Sequence, residues 1–361
     1  PLQRNLPVVP VHFMLVKGND LVLATHGRGL WIMDNLSALR QITPQVTSAT
    51  AHLFDIEPTY RYLPMRTSSA RSARPGIQLT GSSGDVVAFE DRQSSDGRVR
   101  RTFLNAGQNP PAGVIVDYYL KQRPASETKL AVVDANGHVI QEFSSSAKDA
   151  LSVPADAGMN RFIWDLRYPG PRELPPNPMF GAQDSVRPQA PVAPPGRYRA
   201  RLTVDGASYE APFEIKKDPR LTASDADLEE QFAFMLKVRD QISDITDTVN
   251  RIHEIRKQLD ERAPAAGAPL AQATAAAKEK LLAIEGAITR VLGPNPNLVP
   301  PRAPDNQLAA LSGVITRADG KPTRSMNAVF DELATRVAEQ KRRLDQTVST
   351  DIKVILDRGT Q

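Results

Sequence analysis

The stretch Asp20-Leu-Val-Leu-Ala-Thr-His-Gly-Arg-Gly-Leu-Trp-Ile-Met-Asp34 constrains this chain most. Residues 21–25 and 30–34 read as strands, with Gly27 and Gly29 permitting the tight backbone between them. Residues 8–16 are an apolar strand-like run, and Lys17-Gly18-Asn19-Asp20 is a turn signal that joins this run to the pair. A strand pair without a sheet around it is marginal in water. Either later residues complete the sheet, or the pair belongs to a larger domain whose other strands precede Pro1. The second reading is preferred. It makes the chain, which begins with proline and shows no signal-peptide pattern, an internal fragment or a processed product.

Length and composition narrow the classes. A chain of 361 residues suits two or three domains. Its 30 prolines cluster, which predicts extended loops and linkers. Net charge is +4, and the basic groups Arg98/Arg100/Arg101 and Lys341/Arg342/Arg343 carry no interleaved aromatics, so no nucleic-acid partner is expected. Cysteine is absent, which excludes disulfides, thiolate metal sites and cysteine nucleophiles. No apolar run reaches the roughly 20 residues of a membrane span.

A second β region follows residues 61–112, which read as a linker or loop with one strand near 86–90. Residues 114–120 are strand-like, and Asn136-Gly137 and Asp205-Gly206 each sit between strand patterns as hairpin turns. In Arg161-Phe-Ile-Trp-Asp-Leu-Arg-Tyr168 the alternation sends Phe162, Trp164 and Leu166 to a core and Arg161, Asp165 and Arg167 outward. Six or seven short antiparallel strands over 113–218 predict an immunoglobulin- or fibronectin-like β-sandwich, interrupted by a proline-rich loop at 169–195.

Composition changes again past Pro219. Ser224 and Asp227 form a capping-box pattern. Met235, Val238, Ile242, Ile245, Val249, Ile252 and Leu259 then recur at heptad spacing, with Arg256 the one interruption, until Pro264 stops the helix. A second helix carries Leu270, Ala277, Leu281, Ile284, Ile288 and Val291, and a short third carries Leu308, Leu311 and Ile315. The last, about 325–357, carries Phe330, Leu333, Val337, Leu344, Val348, Ile352 and Ile355. Residues 222–361 therefore read as an antiparallel helical bundle or hairpin. The stripes either bury one another or bury against a second copy, giving a homo-oligomer.

Chemistry-bearing motifs are sparse. His12, His26, His52, His138 and His253 are isolated in sequence, without metal-ligand spacing, so no metal site and no cofactor is expected. There is no nucleophile elbow and no P-loop. Trp164 and Tyr168 read as core and edge packing before sugar stacking. The turn His26-Gly27-Arg28-Gly29 keeps two readings open. Turn geometry accounts for the glycines, whereas an imidazole and a guanidinium at an exposed turn suit a carboxylate or a sugar hydroxyl.

Several of these segments resemble one family. Residues 21–34, Asn109-Pro110-Pro111 leading into 114–120, Asn160–Tyr168 and Ala193-Pro-Pro-Gly-Arg-Tyr198 are similar to BNR-repeat, sortilin-like β-propeller proteins, often labelled glycosyl hydrolases or sialidase-like. The resemblance covers most of the chain, the last helices in pattern alone. It implies a multidomain β-plus-α protein: a remnant of the last propeller blade at 1–60, the sandwich, and the C-terminal bundle. Against the family's Asp-box, Ser-x-Asp-x-Gly-x-x-Trp, Asp34 aligns, but Ile32, Leu36 and Leu39 stand at the other positions, so the blade is degenerate. The sialidase arginine cluster and its tyrosine–glutamate pair are assigned to no positions of this sequence.

The resemblance also implies an extracellular or periplasmic location and a non-catalytic accessory or scaffold role, with the upstream propeller as partner and a glycan or protein as ligand. Its alternative is a glycoside hydrolase whose site lies mainly upstream, with His26 and Arg28 on the ligand side. A helical oligomerisation or protein-binding module is the third reading.

Overall fold

The structure is a computed structural model and describes residues 6, 8–62, 76–82, 85–93, 99–104, 112–147, 151–172, 174, 188–262, 268–289 and 303–358. The protein is β plus α, in two units: Pro1–Leu166 with Pro195–Pro219, and Arg167–Pro194 with Arg220–Gln361. Of the sequence motifs above, Asn109-Pro110-Pro111, Arg98 and Val291 lie outside the described residues, as does most of the proline-rich loop.

The first unit opens with an antiparallel meander of β1 (Val11–Lys17), β2 (Asp20–Thr25) and β3 (Leu30–Met33). Two short helices follow, α1 (Ser37–Arg40) and α2 (Pro44–Ser48), the latter started by Pro44 at its first position and by the Thr43 hydroxyl accepting from Val46 N. Strands β4 (Ala51–Leu53) and β5 (Thr59–Arg61) come next. These two do not extend the opening sheet. β4 pairs with β9 (Val114–Leu120), and β5 runs parallel to β14 (Ala207–Lys217). Residues 51–53 and 59–61, expected to lie with the opening strands, are thus paired with later ones, because strand pairing and not chain proximity assigns a strand to its sheet.

A second correction concerns 61–112. The one expected strand is the middle of a three-stranded antiparallel sheet, β6 (Gly76–Ser82), β7 (Asp85–Gln93) and β8 (Val99–Phe103). Its polar, glycine-rich sequence resembles a linker because little of it needs to be apolar, although Phe89 is buried.

Two sheets make the core of the first unit. One holds β12 (Gly158–Trp164), β9 and β4. The other holds β11 (Val139–Ser144), β10 (Lys129–Val133), β13 (Gly196–Val204), β14 and β5, in that order. They meet through rings: Trp164 against Tyr198 and Phe213 at centroid distances of 6.0 and 6.2 Å, and Phe143 against Phe162 at 4.5 Å. Phe162, Trp164 and Leu166 are buried as the alternation predicts, so Trp164 is core and not a sugar platform.

Both expected hairpin turns form. Asp205 and Gly206 have φ of 46° and 84°, the two positive values of a type I′ turn. Gly113 has a different duty. A Cβ there would lie 2.3 Å from the Trp164 carbonyl oxygen, so only glycine lets β9 begin so close to the end of β12.

In the second unit α3 (Asp225–Arg262) spans 38 residues, about 57 Å at 1.5 Å per residue. Its capping box is complete: Asp227 N donates to Ser224 Oγ at 3.1 Å and Ser224 N donates to Asp227 Oδ2 at 2.8 Å. All seven heptad residues are buried. They pack on residues of α4 (Ala268–Ile288), α5 (Pro304–Ile315) and α6 (Arg324–Thr347), so the chain itself covers the stripe.

A π-helical turn, Val348–Ile352, links α6 to α7 (Lys353–Arg358). There the Ser349 and Thr350 hydroxyls both donate to Gln346 O, local partners that suit a disturbed ladder. The described parts of the proline-rich stretch belong to this unit. Arg172 bonds Asp247, Tyr168 packs on Phe232, and Gln189 N donates to Ser312 Oγ. The described residues of this stretch thus bond to α3 and α5.

Candidate functional site

The turn that carries His26 and Arg28 connects β2 to β3 and is exposed. Gly27 and Gly29 have φ of 77° and 70°, where a Cβ is disfavoured. Thr25 closes the loop with both its N–H and its hydroxyl on Gly29 O, at 3.2 and 2.7 Å. Trp31 Nε1 donates to Arg28 O at 3.0 Å. The backbone of the turn is thus held while the His26 and Arg28 side chains project from it.

His26 is not isolated. Its imidazole centroid lies 5.0 Å from that of His12, with the ring planes inclined by 36°. The register explains how they meet. From Lys17↔Asp20 to Phe13↔Ala24 the strands pair evenly, and then Val11 pairs with Thr25, leaving His12 as the extra residue of a bulge. His26 N donates to Pro10 O at 3.0 Å beyond it. In an unbroken register residues 12 and 26 would point to opposite faces; the bulge re-aims His12. Sequence spacing alone could not show this, and it corrects the reading of the histidines as solitary.

The base of the opening sheet is fastened by polar groups. Asn19 Nδ2 donates to Glu57 Oε1 at 2.7 Å, Arg40 donates to Asn19 Oδ1 and Gly18 O, and Leu36 N donates to Asn19 O. Asn35, in the left-handed region at φ 57°, donates its N–H to Asp20 Oδ1 and accepts from both Ser37 N and the Ser37 hydroxyl. Asp34 sits nearby. Burial first and the Asp20 charge second raise its pKa, opposed by its own backbone hydrogen bond and by Arg161. Arg161 grips Asp117 directly across the β9–β12 ladder, Nε to Oδ1 at 2.7 Å and Nη2 to Oδ2 at 2.8 Å. Asp34 therefore acts in a structural junction, not at the exposed turn.

A separate feature lies on α3. His253, Arg256, Lys257, Asp260 and Glu261 line an open groove of about 510 Å³. At its edge the buried Glu285 of α4 accepts from His253 Nε2 at 2.7 Å and from Arg256 Nη1 at 3.1 Å. The His253 ring is half exposed, yet it fastens α3 to α4.

Among the described residues no group of three or more His, Asp or Glu side chains is placed to hold a metal, and no helix is long and apolar enough to cross a membrane. No family model matches the chain, and no curated protein or solved structure does so either.

Proposed function

We propose that the chain is a non-catalytic accessory and scaffold region of a secreted BNR-repeat, sortilin-like β-propeller protein. In this reading β1–β3 belong to a propeller blade, the paired sheets are an immunoglobulin- or fibronectin-like sandwich, and the helices brace the assembly. One observation carries it: the opening sheet is apolar on both faces. Cross-strand rows put Phe13, Ala24 and Leu30 on one face with Leu15, Val22 and Ile32, and Met14, Leu23 and Trp31 on the other with Val16, Leu21 and Met33.

Phe13, Met14, Leu15, Val16, Leu30 and Ile32 are nevertheless exposed. A sheet with apolar rows on both faces is one built to lie between two neighbours, as a propeller blade of about four strands does. Contiguous exposed apolar surface of this kind marks an interface. The direct test is the coding sequence that precedes Pro1. Repeats of blade length are expected there, and a start codon in their place overturns the reading. The chain by itself should also leave a panel of chromogenic glycosides intact.

The exposed His26 and Arg28 favour a second reading, in which the intact protein hydrolyses glycosidic bonds and this turn contributes to the site. Its test is the double variant His26→Ala/Arg28→Ala in the intact protein. Loss of turnover supports it, and unchanged kinetics remove it.

A further inference from the structure

We propose that His12 and His26 form a two-imidazole site for a late first-row divalent metal, with Cu²⁺ preferred over Zn²⁺. The argument starts from spacing. A metal–nitrogen bond of ~2.1 Å, with the ring centroid ~1.1 Å further on, places two imidazoles sharing one ion with centroids ~4.5 Å apart at cis positions of a tetragonal copper site and ~5.2 Å apart in a tetrahedral one, a range that brackets the pair. The observed separation is 5.0 Å. Direct ring stacking does not require this pair: both side chains are exposed, at the end of a sheet where many polar residues would serve.

Preorganisation is the second element. His12 is fixed by the β-bulge and His26 by its N–H bond to Pro10 O, so the backbone positions that bring the rings together are set before any ion arrives. The donor set gives selectivity. Among the described residues no third His, Asp or Glu joins the pair, so the ligands are neutral imidazoles and the remaining positions fall to water. Imidazole suits Cu, Ni and Zn, while Mg²⁺ and Ca²⁺ need oxygen donors, and the affinity order favours Cu²⁺. Nothing in the scaffold reading is needed for this site.

The test uses the whole chain and the metal alone. Calorimetric titration with CuCl₂ should show one ion per chain, and electron paramagnetic resonance of the complex should show coupling to imidazole nitrogen. His12→Ala and His26→Ala should each weaken Cu²⁺ binding by at least ~10-fold, as expected for loss of a metal-site partner. His138→Ala, which removes the exposed imidazole beside Asp134, should leave binding unchanged. Mg²⁺ should not compete. Because His12 and His26 are exposed, their variants should keep the far-ultraviolet spectrum of the parent. Binding that survives both substitutions, or that disappears with His138→Ala, overturns the proposal.

Discussion

The opening sheet and helix α3 both carry regular apolar rows, and they differ in what covers them. Along α3 all seven heptad residues are buried by the chain's own helices, whereas every residue of β1 is exposed. Periodicity therefore identifies an element and its apolar face. It does not identify the partner that removes that face from water. The largest test of the contrast is in the helices. Ile245 is 1% exposed within a cluster that includes Val238, Val249, Leu308 and Leu333. Ile245→Ala should destabilise the fold by about 2–5 kcal/mol through lost transfer energy and a residual cavity. Denaturant unfolding measures it, and a cost below about 1 kcal/mol would mean that the stripe is not packed as described.

Polar contacts repeat the same contrast between covered and uncovered. Glu285 is buried and holds both His253 and Arg256. Glu285→Gln keeps the shape but removes the charge, and should cost about 1–3 kcal/mol, the range for weakening hydrogen bonds to a buried charged group. His253→Ala should cost less, because its ring is half exposed and water can replace it at the carboxylate.

Much of the fold was legible from local signals that need no knowledge of distant strands. The Ser224/Asp227 box, the Asp205-Gly206 turn and the alternation through Phe162 and Trp164 each specify geometry within a few residues. What stayed hidden depended on pairing. Nothing in Ala51–Leu53 says that its partner is β9, and nothing in Thr59–Arg61 says that it runs parallel to β14. The candidate site behaved the same way. His26 and Arg28 were visible because glycines flank them. His12 was not, because its meeting with His26 depends on one bulged residue, and bulges leave no spacing signature in the sequence.

The opening sheet itself gives a smaller and opposite prediction. Phe13 is 62% exposed. Phe13→Ser should change stability by no more than about 0.5 kcal/mol, as for surface positions generally, although it removes as much apolar surface as many core substitutions. The same variant should lower binding of a hydrophobic fluorescent dye. A cost near that of Ile245→Ala would show that the sheet is covered in solution and would break the comparison.

The smallest expected effect belongs to an exposed ion pair that ties the proline-rich stretch to α3. Arg172 donates from Nε to Asp247 Oδ1 at 2.9 Å and from Nη2 to Oδ2 at 2.5 Å. The Arg172 hydrogen bonds, more than the charge alone, hold the Asp247 pKa below its ordinary 3.8. A carboxyl whose folded pKa lies under its unfolded value stabilises the folded form in full above the unfolded value. That contribution is lost as pH falls through the folded one. The contribution of this pair should therefore be complete at neutral pH and be lost only in acid, as Asp247 takes up its proton. Both side chains are more than half exposed, so salt and water screen the pair and global unfolding will barely register it. Carboxyl NMR titration resolves it site by site: Asp247 should titrate below its ordinary range, and Arg172→Gln should return it there. An Asp247 titration that ignores Arg172→Gln would show that the proline-rich stretch is held by Tyr168 on Phe232 and by Gln189 on Ser312 instead.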